Sequence, residues 1–222
     1  MQLCLARAVA AYGPWQLRGP DSPAQKEGRR LHTVVQAYLR DGTVPGPLDR
    51  AAHQAISVIP AAAGSVSPAD IERVVLLPGY FGYIDFETPA DVGDLKFTSN
   101  LRYQKAVDPT QDPQRIIYAN DRFYRDPYAI EVKQLWVVSQ FNGAGSVALE
   151  HIWTRRAAKR ALQKYVEPSA NALDSFLASG KHWNEAPKNY GACNMYPRHG
   201  CHLRYQCTKP KRENISFAKP KV

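Results

Sequence analysis

GYIDFETPADVGDLKFTS, residues Gly82–Ser99, holds the pattern from which the rest of the chain is read. An apolar run ends in Asp85, a turn region with Pro89 and Gly93 follows, and a second strand carries Asp94, Leu95 and Lys96. The two-residue period of a strand sets Asp94 and Lys96 on one face, and hairpin pairing brings both within reach of Asp85. Two carboxylates and an ammonium in one small site suit chemistry at a phosphodiester. Carboxylate oxygens are hard ligands for Mg²⁺ or Mn²⁺, a bound metal acidifies its water, and a lysine stabilises developing negative charge. An Asp-x-Lys strand can equally be a solvated face, so its neighbours decide between the two.

Upstream, GRRLHTVVQAYLRDG (Gly28–Gly42) reads as a helix over about 29–40 that stops at Gly42. His32, Val35, Gln36 and Leu39 share one face of it, where a neutral imidazole is either a satisfied core residue or a nitrogen ligand that favours Mn²⁺. Downstream, QDPQRIIYAN (Gln111–Asn120) opens on a helix start, with Asp112 as cap and Pro113 at the first helical position. Gln114 and Tyr118 are then one turn apart on one face. That face is either a half-buried surface or a pair of hydrogen-bonding groups beside the metal, touching substrate or the lysine.

Taken in order, GxxxH (Gly28 to His32), GYID (Asp85), GDLKFTS (Asp94 and Lys96) and QxxxY (Gln114 and Tyr118) resemble the RecB-type branch of the PD-(D/E)XK nucleases. Cys4 near the start and Cys193, Cys201 and Cys207 near the end bracket these motifs. That arrangement is similar to the iron-sulfur exonucleases of CRISPR loci and phages, and to the nuclease domain of the AddB helicase-nuclease subunit. The resemblance implies an α/β, restriction-endonuclease-like fold, a mixed central sheet flanked by helices with a C-terminal iron-sulfur region. It implies a metal held by His32, Asp85 and Asp94, with the Leu95 carbonyl as a further ligand, and Lys96 assisting the attacking water. It also implies a 4Fe-4S cluster on the four cysteines, and digestion of single-stranded DNA from 5′ ends.

The cysteines have other readings. Two disulfides need an oxidising compartment. The opening MQLCLARAVAA has no basic leader region and Arg7 interrupts its apolar run, so no signal peptide is expected. No stretch approaches the roughly 18 apolar residues of a membrane span. A cytoplasmic protein without a membrane partner is therefore expected, and clustered thiols there suggest metal. Zinc is the rival to iron and sulfur, because His199 and His202 lie among the late cysteines and can complete a tetrahedron without Cys4.

At 222 residues the chain suits one domain, expected over 1–208, followed by a basic flexible tail over 209–222. The formal charge of +9 points to a polyanionic partner, with DNA, RNA and anionic lipid all open on charge alone. Tyr103, Phe123 and Tyr124 lie among Arg102, Lys105, Arg122 and Arg125, where they either stack bases or fill the core. The coarse pattern predicts a second helix near 48–57 and strands near 71–77, 80–86 and 92–97. It also predicts a hairpin from Ala129–Gln140 to Val147–Thr154, and a helical run from Arg155 to about Gly180 broken at Pro168. Two functions fit: a metal-dependent DNA exonuclease, or a DNA-binding adaptor for a recombinase, helicase or CRISPR integrase that cleaves little.

Overall fold

The computed structural model describes residues 21–67 and 70–187. These residues fall into two compact units, one ending at Tyr165 and one beginning at Val166. Cys4, Cys193, Cys201 and Cys207, the rival ligands His199 and His202, and the basic tail lie outside the described residues.

The first unit is α/β, a five-stranded open mixed sheet with helices on it. Helix α1 (Pro23–Asp41) starts earlier than the apolar periodicity predicts, because Ser22 and Gln25 form a reciprocal capping box around Pro23. It ends where expected, with Gly42 at φ 76° closing on the Tyr38 carbonyl. Helix α2 (Arg50–Ala63) follows. Strands β1 (Ile71–Val74), β2 (Tyr83–Glu87) and β3 (Asp91–Thr98) form an antiparallel meander. After β3 the chain runs through a short helix, α3 (Leu101–Ala106), a 3-10 turn (Pro109–Gln111) and α4 (Pro113–Arg125). It returns as β4 (Glu131–Gln140), parallel to β3. Parallel pairing needs such a crossover, since no tight turn can reverse the chain twice. Strand β5 (Ser146–Thr154) closes the sheet as the antiparallel hairpin partner of β4.

Leu31 and Val35 of α1 and Ala52, Ala55, Ile56 and Ile59 of α2 pack on Phe86, Leu95 and Val137, making one continuous apolar core on one face of the sheet. Small alanines let α2 approach the strands closely. On the other face α4 lies against β3, β4 and the following helix α5 (Arg155–Ala161). Asn120 Nδ2 donates to the Ala158 carbonyl at 2.9 Å, which fixes α4 to α5. The helical run then changes to a π-helical stretch (Leu162–Val166). The regular geometry is therefore lost before Pro168, and this proline sits in the first turn of the next helix, α6 (Glu167–Ala178), where its missing N–H costs nothing. The second unit contains α6 and a 3-10 turn (Trp183–Glu185), with Phe176 and Trp183 buried.

Gly93, expected at the join of the turn region and the strand near 92–97, belongs to the strand. Gly93 lies inside β3, opposite Phe86, and a Cβ there would stand 2.1 Å from the Phe86 ring. Glycine lets that ring lie flat against the backbone beside Asp94.

Candidate active site

Strand pairing brings the acidic residues together. Phe86 is paired with Gly93, so Asp85 and Asp94 are neighbours across the two strands, and the Leu95 amide donates to Asp85 Oδ2 at 2.7 Å. The Leu95 backbone contact here is that of its N–H. Asp94 is 1% exposed. Its Oδ1 accepts from Gln114 Nε2 at 2.7 Å, and Lys96 Nζ stands 2.9 Å from Oδ2. The ammonium approaches Oδ2 off the hydrogen-bond direction, so this buried oxygen has no hydrogen bond.

Helix α4 supplies the second half of the site. Its cap forms as the sequence predicts, with Asp112 accepting from the Arg115 amide at 3.0 Å. Gln114 and Tyr118, one turn apart, face β3. The Gln114 amide is used at both ends: Oε1 accepts from Lys96 Nζ at 2.9 Å, while Nε2 also donates to the Tyr118 hydroxyl at 2.7 Å. Tyr118 in turn donates to the Tyr83 carbonyl on β2. The QxxxY pair is thus a brace between β2 and the Asp94–Lys96 pair. Sequence reasoning missed Tyr83 because its contribution is a backbone carbonyl.

His32 comes from α1. Its Nδ1 lies 3.6 Å from Asp85 Oδ1, an ion-pair distance rather than a hydrogen bond, and its ring meets Phe97 edge-on with centroids 5.5 Å apart. His32 thus stands between a carboxylate and an aromatic ring. All six predicted side chains therefore converge on one corner of the sheet. Among the described residues, no three His, Cys, Asp or Glu side chains are gathered round a single point as a metal would hold them. In this arrangement Asp94 is turned to Lys96 and Gln114 rather than to Asp85.

The electrostatics follow from burial and crowding. Burial pushes the Asp94 carboxyl up to about 6; Lys96 opposes the shift and Asp85 adds to it. Burial disfavours the Lys96 ammonium, but Asp94 outweighs it and holds Lys96 above its ordinary value. His32 is likewise lifted above its ordinary value, since Asp85 and Asp94 more than offset its burial. Burial and the charge of Asp94 raise the Tyr118 phenol, which keeps its proton and so serves as a donor.

Two further residues touch the site. Lys96 Nζ lies 5.1 Å from the centre of the Trp136 ring, and the Arg115 guanidinium stacks 3.6 Å from the same centre. Arg115 is 2% exposed, and its Nε and Nη2 have no acceptor among the described residues. A cation in the first turn of a helix opposes the helix dipole, and that broken local rule was the available signal for Arg115. The aromatic and basic residues after it are structural in part. Phe123 is buried under the Arg155 guanidinium, Arg125 is half-buried in ion pairs, and Arg122 donates to the Pro89 carbonyl; Tyr124 is exposed.

Among the described residues no helix is long and apolar enough to cross a membrane. Comparison of the chain with protein-family models and with curated proteins gave no match.

Proposed function

We propose that this protein is a metal-dependent nuclease that hydrolyses DNA phosphodiester bonds, acting as an exonuclease on single-stranded ends. One observation carries the reading. A buried carboxylate, Asp94, is held against Lys96 by the Gln114–Tyr118 brace, with Asp85 and His32 at its side. This corner gathers two carboxylates with one lysine and one histidine, the donor and charge set of a site rather than of a lone ion pair.

The donor types present suit a divalent cation, which would draw Asp85, Asp94 and His32 together round it. Asp85 and Asp94 offer hard oxygens, Asp94 Oδ2 lacks a hydrogen bond, and His32 offers a nitrogen. Asp85, Asp94 and His32 would hold the ion; when bound, Mg²⁺ or Mn²⁺ supplies an activated water and offsets phosphate charge. The chain's own groups do the positioning. Gln114 fixes Lys96 and Asp94 simultaneously, so the ammonium is aimed before substrate arrives. Lys96 is the more exposed of the pair, with 29% of its side chain open, and it meets the phosphate oxygen on which charge develops. Tyr118, kept neutral, anchors Gln114 to the Tyr83 carbonyl. The net charge of +9 supplies long-range attraction for a polyanion.

The 5′ to 3′ polarity, the single-stranded preference and a 4Fe-4S cluster on Cys4, Cys193, Cys201 and Cys207 rest on the resemblance to the RecB-like iron-sulfur exonucleases. A digestion series tests the function, using 5′-blocked, 3′-blocked and circular single-stranded DNA in Mg²⁺ and in Mn²⁺. Linear strands with a free 5′ end should shorten while circles survive. Tight DNA binding with no turnover in either metal would replace the nuclease with an adaptor.

A further inference from the structure

A cavity of about 350 Å³ lies beside edge strand β5 and helix α5, apart from the acidic corner. Trp153, His151, Thr110, Arg160, Lys164 and Tyr165 line it. Its volume falls in the range of small-ligand pockets. Trp153 is buried in its wall, with the His151 ring edge-on at 4.6 Å between centroids. Lys164 Nζ lies 4.8 Å from the centre of the Tyr165 ring. Among the described residues the lining therefore combines the partly exposed rings of His151 and Tyr165 with two cations and contains no carboxylate. The neighbouring Asp108 is already engaged by Thr110 and Gln111. Planar aromatic surface beside cations is the chemistry that takes a base and its phosphate.

The cavity is in register with the acidic corner. Asp94 on β3 pairs with Trp136 on β4, Trp136 with Leu149 on β5, and His151 lies two residues further along β5 on the same face. Two strand spacings across and two residues along is on the order of 12 Å. Arg115 and Trp136 occupy the interval, and their three donors, Arg115 Nε, Arg115 Nη2 and Trp136 Nε1, have no acceptor among the described residues. A nearly buried guanidinium with no ion pair among the described residues, only the more distant charges of Asp112, Asp94 and Asp108, projects its charge along that floor. Gln134 ties the parts together, donating to the Arg115 carbonyl at 3.2 Å and accepting from Trp153 Nε1 at 3.0 Å.

We propose that the cavity is a nucleotide subsite, which takes one base and phosphate of a strand whose neighbouring phosphodiester lies at Asp94 and Lys96. The strand path rests on the nuclease reading; the nucleotide chemistry of the cavity does not. The test uses the full chain in EDTA, with tryptophan fluorescence followed during titration with deoxyadenosine monophosphate, deoxyadenosine or inorganic phosphate. The mononucleotide should saturate, and the nucleoside and the phosphate alone should bind more weakly. Ala157→Phe fills the cavity from an exposed helix position and should weaken mononucleotide binding about tenfold or more, the size of one lost base stack. Arg160→Gln with Lys164→Gln, two exposed positions, should remove the preference for the phosphorylated ligand. Lys96→Ala should leave the titration unchanged. With cleavable single strands, Ala157→Phe should raise KM with kcat within about twofold. No mononucleotide binding by the wild type, or binding unaffected by Ala157→Phe, overturns the subsite. Saturable binding lost in Ala157→Phe, in a protein that cleaves no DNA, would uphold the subsite and reject the nuclease.

Discussion

The two ends of helix α4 each carry a polar cluster, and they are built on different terms. At the C-terminal end Arg125 Nε meets Asp121 Oδ2 at 2.8 Å and Nη2 meets Glu87, while Arg73 Nε stands 3.4 Å from the other Glu87 oxygen. Asp121 also accepts the amides of Leu76 and Leu77. Two carboxylates face two guanidiniums, and Glu87 and Asp121 are almost wholly buried. At the N-terminal end Lys96 pairs with Asp94 and His32 stands 3.6 Å from Asp85, and His32 and Lys96 keep part of their surface open. The first cluster is closed and balanced, which suits a brace between α4 and the β1–β2 region. The second is partly open to solvent through His32 and Lys96, and on the proposed nuclease reading a divalent cation would complete it, which suits chemistry.

Substitutions can break this contrast. The largest effect is expected at the open cluster: Asp94→Ala or Lys96→Ala should lower cleavage about a thousandfold or more while the fold survives. Near-normal turnover in either variant would remove the site from the chemistry. At the closed cluster the effect should be on stability. Arg125→Met leaves Glu87 and Asp121 short of a cation and should cost about 3–5 kcal/mol in denaturant unfolding, with turnover per folded molecule unchanged. Gly93→Ala should cost about 1–3 kcal/mol, since the added methyl must displace the Phe86 ring next to Asp94. Tyr118→Phe removes from the brace the hydroxyl that accepts from Gln114 and donates to the Tyr83 carbonyl. Turnover should drop about tenfold with about 1 kcal/mol or less of stability lost. A larger stability loss with normal specific activity would make that helix face ordinary packing.

The smallest effect is in pH dependence. The Asp94 carboxyl rises from 3.8 to about 6 on folding, so the folded state holds this proton more tightly than the unfolded chain. Its stabilising share is fully present below pH 3.8 and is lost as pH rises through about 6. In EDTA, the melting temperature of the wild type relative to Asp94→Asn should therefore fall between pH 4 and 7. A flat difference would show that Asp94 titrates normally and is not crowded.

Much of this site was legible because its signals are local. Asp112 and Pro113 announce the start of α4, a helical period puts Gln114 over Tyr118, and a strand period puts Asp94 with Lys96. The β4–β5 hairpin is equally local. The strand near 92–97 formed as expected, but the reason for Gly93 within it escaped, because that reason is the Phe86 ring, a tertiary neighbour that no turn statistic contains. The start of α1 was set too late because apolar periodicity begins after the capping box, which the polar Ser22 and Gln25 provide. Helix α3 is only six residues long, too short for an apolar period to show, although Asn100 caps it by accepting the Arg102 amide at 3.0 Å. Trp136 and Arg115 escaped because one reads as an ordinary strand residue and the other as a surface charge, and only the β3–β4 register brings them beside Lys96.

The central claim is that the open cluster completes itself with one divalent cation. Titration of Mn²⁺ followed by its electron paramagnetic resonance signal tests this directly, because bound and free ions are counted separately. The wild type should take up one Mn²⁺ that is lost in both Asp85→Asn and Asp94→Asn and retained in Arg125→Met above its folding midpoint. Equal uptake by wild type and both aspartate variants, or no uptake by the wild type at millimolar Mn²⁺, would contradict the account.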